Sequence, residues 1–333
     1  MRFAFAGFRH FHVLEMYKLV TERRDCRLVA AAEDDPQAAI AAREQGVELT
    51  HDSLDALFAV AETFDAVVVA DYYSRRGAVA LRALRAGKHV ISDKPPCTTL
   101  PELDQIVAEA TTRGLQVGCM LGNRFSSPLR TLKKYLHKIA PVETVTFMGQ
   151  HPLLYGSRAG FYFEDGKHGG TLNDIAIHAA DVLPWLLGTK WVEVVAARIW
   201  NRRLPQHPRF NVCGQVMLRM EDGTGVLGDV SYLSPDSQGY TVPQYWRFTL
   251  HGHKGILETS ITQGAVKLWA DGADTEEALP LEPDDPGGYL TAFLNAVARK
   301  PAVLTSAEVF HATRTALLAQ VAADTGETHV TIP

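Results

Sequence analysis

The first 122 residues alternate short apolar runs with helix-patterned segments, and this alternation limits the fold more than any other feature of the chain. Residues 2–7 (RFAFAG) are apolar and stop at glycine, and the following segment carries Val13, Leu14, Met16, Tyr17, Leu19 and Val20 at helical spacing. Residues 28–32 form a second such run ending in Glu33, and residues 35–45 are alanine-rich and helix-prone up to Gly46. Strand, helix, strand in that order is a βαβ unit. Ser53 then caps a helix through Val60, residues 66–70 read as a buried strand, 76–86 as a helix, and 89–92 as a strand. Thr99, with Leu100 and Pro101 behind it, opens a helix to Arg113, and residues 116–121 make one more strand. The pattern predicts a Rossmann-type, doubly wound parallel sheet, which binds ligands beyond the carboxyl ends of its strands.

From Val142 onward the runs are longer and β-like: 142–148, 191–200, 212–220, 225–232, 246–250 and 265–269. Several alternate apolar with polar residues, which predicts an open, largely antiparallel sheet with helices on one face. A closing helix is expected over 306–324. The expectation is an α/β domain over 1–122 followed by an α+β domain over 123–333, a division that a 333-residue chain accommodates easily. Trp200, Trp246 and Trp269 fit either the core of the second sheet or a face buried between subunits.

Composition narrows the function. A net charge of -5 with no basic run leaves nothing to neutralise a nucleic-acid backbone, and no stretch approaches the ~18 apolar residues of a membrane span. Cys26, Cys97, Cys119 and Cys213 have no C-x-x-C spacing, so a disulfide framework, zinc ribbon or redox dithiol is not expected. The N-terminus enters a strand-like run directly, which gives a cytoplasmic expectation.

Three stretches carry chemistry. Gly7, Phe8, Arg9, His10, Phe11 and His12 sit where a G-x-G-x-x-G dinucleotide turn would sit, and Glu33 sits where a ribose-binding acid is expected, although only the first glycine is present. Helix amides and the Arg9 guanidinium would attract phosphate oxygens; alternatively Arg9 and His12 fill the space a cofactor would use. Ser92, Asp93, Lys94, Pro95 and Pro96 follow a strand end, placing Lys94 on the ligand edge of the sheet, or else in a surface ion pair with Asp93. Finally GGTLNDIAIH (169–178) sets Asp174 and His178 four residues apart on a helical pattern, so that both share one face. The glycines would admit a ligand closely and Thr171 or Asn173 would cap the helix; the alternative is a surface helix whose Asp and His face water.

The run AGKHV (86–90) leading into Asp93-Lys94-Pro95, together with Gly169, Gly170, Asp174 and His178, resembles the Gfo/Idh/MocA family of NAD(P)-dependent oxidoreductases. The similarity continues through Asn123, Arg124 and Phe125 and through Gly252, His253, Lys254 and Gly255, and so covers essentially the whole chain. The resemblance implies a nicotinamide cofactor along Gly7, Phe8, Arg9, His10, Glu33, Asp71, Tyr72, Asp93 and Lys94. It also implies hydride transfer to or from a sugar, polyol or sugar-acid carbon, and a homodimer or homotetramer. Lys94 would lie near the nicotinamide, His178 or Lys94 would take the hydroxyl proton, and Asp174 would contact substrate or orient the base. All three are expected to converge on one cleft. Arg9 and His12 depart from the family's glycines, Asp93 from its usual Glu, and Asp71, Tyr72 and Tyr73 from its usual T-P-N. Glu33 predicts NAD over NADP, because a carboxylate repels a 2′-phosphate.

Residues 151–168, with Tyr155, Arg158, Tyr162 and Asp165, form a candidate substrate loop. Arg9, Arg124 and Arg158 together would favour an acidic sugar through bidentate pairing. Two other functions stand beside the dehydrogenase: a metal site built from His10 and His12 with His178 or His168, and a non-catalytic ligand binder on the same fold.

Overall fold

Five short strands form a parallel sheet in a computed structural model that describes residues 1–333. In chain order they are β1 (Arg2–Ala6), β2 (Arg27–Ala32), β3 (Ala66–Val69), β4 (His89–Ser92) and β5 (Val117–Cys119), arranged β2-β1-β3-β4-β5. Helices α1 (His12–Glu22), α2 (Pro36–Glu44), α3 (Leu54–Ala59), α4 (Tyr73–Arg85) and α5 (Leu100–Arg113) lie between them in sequence. Every residue of β3 is buried, as a strand covered on both faces requires. The helix starts follow the sequence: Asp35, Ser53 and Thr99 accept from the amides of Ala38, Ala56 and Glu102. Gly114 ends α5 in the left-handed conformation.

This unit comprises residues 1–120, 166–169 and 287–310, so it is not closed by a single break at residue 122. The helix Gly288–Val297 returns to it from late in the chain. Phe293 sits 6.4 Å from Phe3, and a Cβ on Gly118 of β5 would lie 2.9 Å from the Phe293 ring. Tyr289 donates to Glu15 of α1 at 3.2 Å. Burying a phenylalanine contributes about 1.5–3 kcal/mol, enough to recruit a distant helix to an uncovered sheet face.

The second unit comprises residues 121–165, 170–286 and 311–333. It begins with α6 (Ser127–Tyr135) and β6 (Val142–Pro152). Leu172–Ala176 is then wound as a π-helix and runs into α7 (Ile177–Leu187). Strands β7 (Trp191–Trp200), β8 (Cys213–Met220), β9 (Gly225–Ser234), β10 (Arg247–Gly252), β11 (Gly255–Ser260), β12 (Val266–Ala270), β13 (Glu277–Leu279) and β14 (Val330–Thr331) complete a nine-stranded sheet. Its order is β13-β12-β11-β10-β6-β9-β8-β7-β14, antiparallel except for the parallel β6/β9 pair. Val216, Leu218 and Met220 of β8 face inward, while Gln215, Met217 and Arg219 face out. Trp246 is 1% exposed and stacks on Phe248, so this tryptophan is core; Trp200 and Trp269 are only half-buried. The closing helix runs Ser306–Thr325. No helix is long and apolar enough to cross a membrane.

The β10/β11 hairpin shows why residues 252–255 read GHKG. Gly252 pairs with Gly255, whose φ is 145°, and a Cβ on Gly252 would overlap the Ile139 carbonyl oxygen. Gly252→Ala should therefore lower stability by about 1–3 kcal/mol, as overpacking does. A urea midpoint equal to wild type would contradict this packing.

Candidate active site

Gly7 ends β1 with φ 92°, and a Cβ there would lie 2.9 Å from Asp71 backbone atoms, so the turn into α1 needs glycine. Phe8 stacks on Phe5 in the core and donates its amide to Glu33 at 2.6 Å. Glu33 also accepts from the Asp35 amide at 2.8 Å and from Arg9 Nε at 3.1 Å. The Arg9 guanidinium pairs with Glu33 and Asp34, lies 3.4 Å from Asp71, and covers the Tyr72 ring at 5.2 Å. Arg75 closes the cluster by bonding Asp34 at 2.5 Å and Asp71 at 2.9 Å. Burial pushes the Asp71 carboxyl up, while Arg9 and Arg75 oppose that shift.

A second cluster surrounds the turn after β4. Asp93 is fully buried, and four donors reach its carboxylate. Oδ1 accepts from the Lys94 amide at 2.7 Å and from His12 Nδ1 at 3.2 Å. Oδ2 faces His10 Nδ1 at 2.5 Å and Arg76 Nη2 at 2.8 Å. Burial alone would raise this carboxyl, but Arg76, with the imidazoles behind it, holds it well below the usual range. His10 moves the other way: burial, aided by His12 and Arg76 and opposed by Asp93, lowers it to about 3, so it is neutral and donates Nδ1–H to Asp93. Its Nε2 lies 3.4 Å from the Tyr73 hydroxyl, and Tyr73 packs on His168 at 5.4 Å. Lys94 is 4% exposed and precedes a cis peptide to Pro95.

The ligating atoms of His10, His12 and Asp93 lie within 4.8 Å of one another, so the third group beside the His-x-His pair is Asp93 rather than a histidine. A carboxylate offers about four acceptor positions, and four donors occupy them here. A cation at this carboxylate would displace a donor beside an arginine already at 2.8 Å. The geometry fits a hydrogen-bonded hub better than a ligand set.

In the second unit Asp174 and His178 are buried on the π-helix and the first turn of α7. Asp174 accepts from the Tyr232 hydroxyl, which burial and this carboxylate push well above its ordinary value, so the phenol keeps its proton. His178 packs edge-on against Trp246 at 4.9 Å. Thr171 does not cap the helix; its hydroxyl bonds the Asn211 carbonyl. Gly170 is required by Gln320, which a Cβ would overlap and whose Oε1 accepts the Leu172 amide at 3.0 Å. Arg158 lies over Tyr162 at 4.7 Å and Tyr232 at 5.2 Å and donates to the carbonyls of Leu153 (2.8 Å) and Pro152 (2.7 Å). Arg124 is buried in an ion pair with Asp181, Nε to Oδ2 at 3.1 Å. Tyr155 is half exposed and bonds His207 at 3.0 Å.

Two family models match this chain: an oxidoreductase family with an NAD-binding Rossmann fold over residues 1–121, and the matching C-terminal domain over residues 133–258. The chain belongs to the Gfo/Idh/MocA oxidoreductase family. Among curated relatives, an inositol 2-dehydrogenase/D-chiro-inositol 3-dehydrogenase of Shouchella clausii is 27% identical over 66% of this chain and 60% of its own length. An inositol 2-dehydrogenase of Rhizobium meliloti is 26% identical over 84% of this chain and 82% of its own. The match thus spans about three fifths of the first relative's length. In structure, an Agrobacterium radiobacter oxidoreductase in complex with NAD+, L-tartaric acid and magnesium superposes with TM-score 0.81, 17% identity and coverage of 100% of this chain and 98% of that one. The Caulobacter crescentus aldose-aldose oxidoreductase gives 0.79, at 20% identity and 99% of each chain. These likenesses establish the fold.

A Gfo/Idh/MocA chain implies a nicotinamide dinucleotide, and the residues present fit one. Gly7 makes the tight turn, the α1 amides open at the carboxyl end of β1, and Glu33, Asp34 and Asp35 follow β2. Several site residues were not singled out from the sequence: Asp34, Arg75, Arg76 and Tyr232. Two had a signal. Arg76 shares the apolar face of α4 with Val79, Ala80 and Ala83, where a charge must find partners, and Tyr232 falls on the inward register of β9.

The His10 shift has a pH consequence. An unfolded imidazole titrates near 6.5 and the native one near 3, so between those values the unfolded chain binds a proton that the native state refuses. This histidine should cost stability as pH falls below 6.5, by up to ~1.4 kcal/mol per pH unit. His10→Gln should flatten the fall in urea-unfolding free energy between pH 6 and pH 4 by about one proton's slope; an unaltered slope would contradict the assignment.

Proposed function

We propose that the protein is an NAD-linked dehydrogenase acting on a hydroxyl-bearing carbon of a neutral polyol or sugar. The observation that carries this reading is the pairing, in one unit, of a glycine turn backed by acids after β2 with a lysine fixed on the Asp93 hub at the end of β4. Bound nicotinamide would accept the hydride. Lys94 would stabilise the developing alkoxide charge, and either His178 or Lys94 would take the hydroxyl proton, a step typically worth about 10²–10⁴-fold. Asp174, its carboxylate oriented by Tyr232, would accept a substrate hydroxyl.

A neutral substrate is favoured over an acidic one because the three arginines with which a carboxylate would pair are already engaged: Arg9 by Glu33 and Asp34, Arg124 by Asp181, and Arg158 by main-chain carbonyls. NAD is favoured over NADP because three carboxylates face two guanidiniums beside the ribose position. The inositol dehydrogenases among the relatives support a cyclic polyol.

Fluorescence titration should show NADH binding, with NADPH at least about tenfold weaker, the ~1.4 kcal/mol scale of one unfavourable charge contact. Turnover with NAD+ should appear for inositols or neutral sugars ahead of galacturonate in a substrate panel. Failure to bind either reduced cofactor at millimolar concentration would defeat the reading.

The same reading includes a homodimer or homotetramer formed through the outward face of the nine-stranded sheet, where Met217 (45%) and Leu227 (55%) stand exposed, and a cytoplasmic location that suits four cysteines not joined in disulfides. Light scattering should give a dimer or tetramer mass, and Leu227→Arg should lower it. A monomer at micromolar concentration would contradict the assembly.

A further inference from the structure

We propose that Arg76 is a positioning residue for Lys94, acting on the main chain of the lysine turn directly and through Asp93; this rests on the reading of Lys94 as catalytic. The Arg76 side chain has no exposed surface. Its Nε donates to the Asp71 carbonyl at 2.8 Å, and its Nη1 donates to the carbonyls of Lys94 at 2.6 Å and Pro95 at 3.2 Å. Its Nη2 bonds Asp93 Oδ2 at 2.8 Å, and the guanidinium lies over the Tyr73 ring at 4.4 Å. One planar group thus ties the turn after β3 to the turn after β4.

The detail that points beyond stability is what these bonds hold. The Lys94 carbonyl is fixed by Arg76, and the Lys94 amide is fixed by Asp93, the ionic partner of Arg76. Both main-chain polar groups of the lysine are therefore set by a single buried ion pair. Burying that pair carries a desolvation cost, on a helix face where Val79, Ala80 and Ala83 show that apolar packing was available. Reaction geometry is where such a cost returns, since a misplacement of about 1 Å can lower a rate by ~10²-fold. Lysine at position 76 would keep the charge but lose the rigid fork that serves four acceptors at once.

The test compares wild type, Arg76→Lys, Lys94→Met and the double variant, using NADH for binding and, for turnover, NAD+ with the best polyol of the panel above. Arg76→Lys should speed amide hydrogen exchange across residues 92–98 about tenfold or more, leave it unchanged at 117–119, and keep NADH affinity within about threefold. Its kcat should fall about 10- to 100-fold, and the double variant should be no slower than Lys94→Met alone, because both changes act on one group. Unchanged exchange at 92–98 with kcat intact, or losses that multiply in the double variant, would overturn the inference while leaving the dehydrogenase reading standing. Turnover retained by Lys94→Met would defeat the catalytic reading of Lys94, and the inference with it. Should Arg76→Lys not fold, Asp93→Asn enters the same comparison, with the same expected and overturning results.

Discussion

A buried carboxylate cannot stay ionised without partners, and in this protein that requirement organises the first unit. Asp93 has no exposed surface and is held in its charged form chiefly by Arg76. Removing one member of such a pair typically costs about 3–5 kcal/mol, because the survivor is left charged and dry. The remaining acceptor positions draw in His10 and His12 from the turn after β1 and the Lys94 amide from the turn after β4. Two turns at the carboxyl edge of the sheet and the inward face of α4 therefore meet at one side chain. The edge where doubly wound sheets bind ligands is, in this chain, also the place of a buried carboxylate with four donors.

The second unit solves a related problem with aromatic rings. Asp174 is buried, and the Tyr232 phenol, which keeps its proton, donates to it. Arg158 provides positive charge nearby while it donates to two main-chain carbonyls and the Tyr240 hydroxyl and its face lies over Tyr162 and Tyr232. Acids and arginines in both units are largely paired within the protein. The neutral substrate proposed above rests on that pairing.

Much of this was legible from residue order. The βαβ alternation gives the parallel sheet, the helices after Ser53 and Thr99 start where the sequence placed them, and alternation in residues 212–220 gives the inward and outward faces of β8. Other features were illegible because they depend on residues far apart in sequence. Nothing local to Phe293 says that it fills the space left by Gly118, and nothing local to Gly170 says that Gln320 crowds it. Arg9 has Glu33, Asp34 and Asp71 around it, brought alongside by β2 and β3. A motif departure such as Arg9 for glycine is visible in sequence, whereas the carboxylates that absorb its charge are visible only in the fold.

A crystal structure of the protein grown with NAD+ tests the central claim most directly. The expected result is a pyrophosphate seated at the turn from Gly7 to His12, with Asp93 still bonded to Arg76, His10, His12 and the Lys94 amide. A metal ion seated between His10, His12 and Asp93, with Arg76 displaced from the carboxylate, would contradict it.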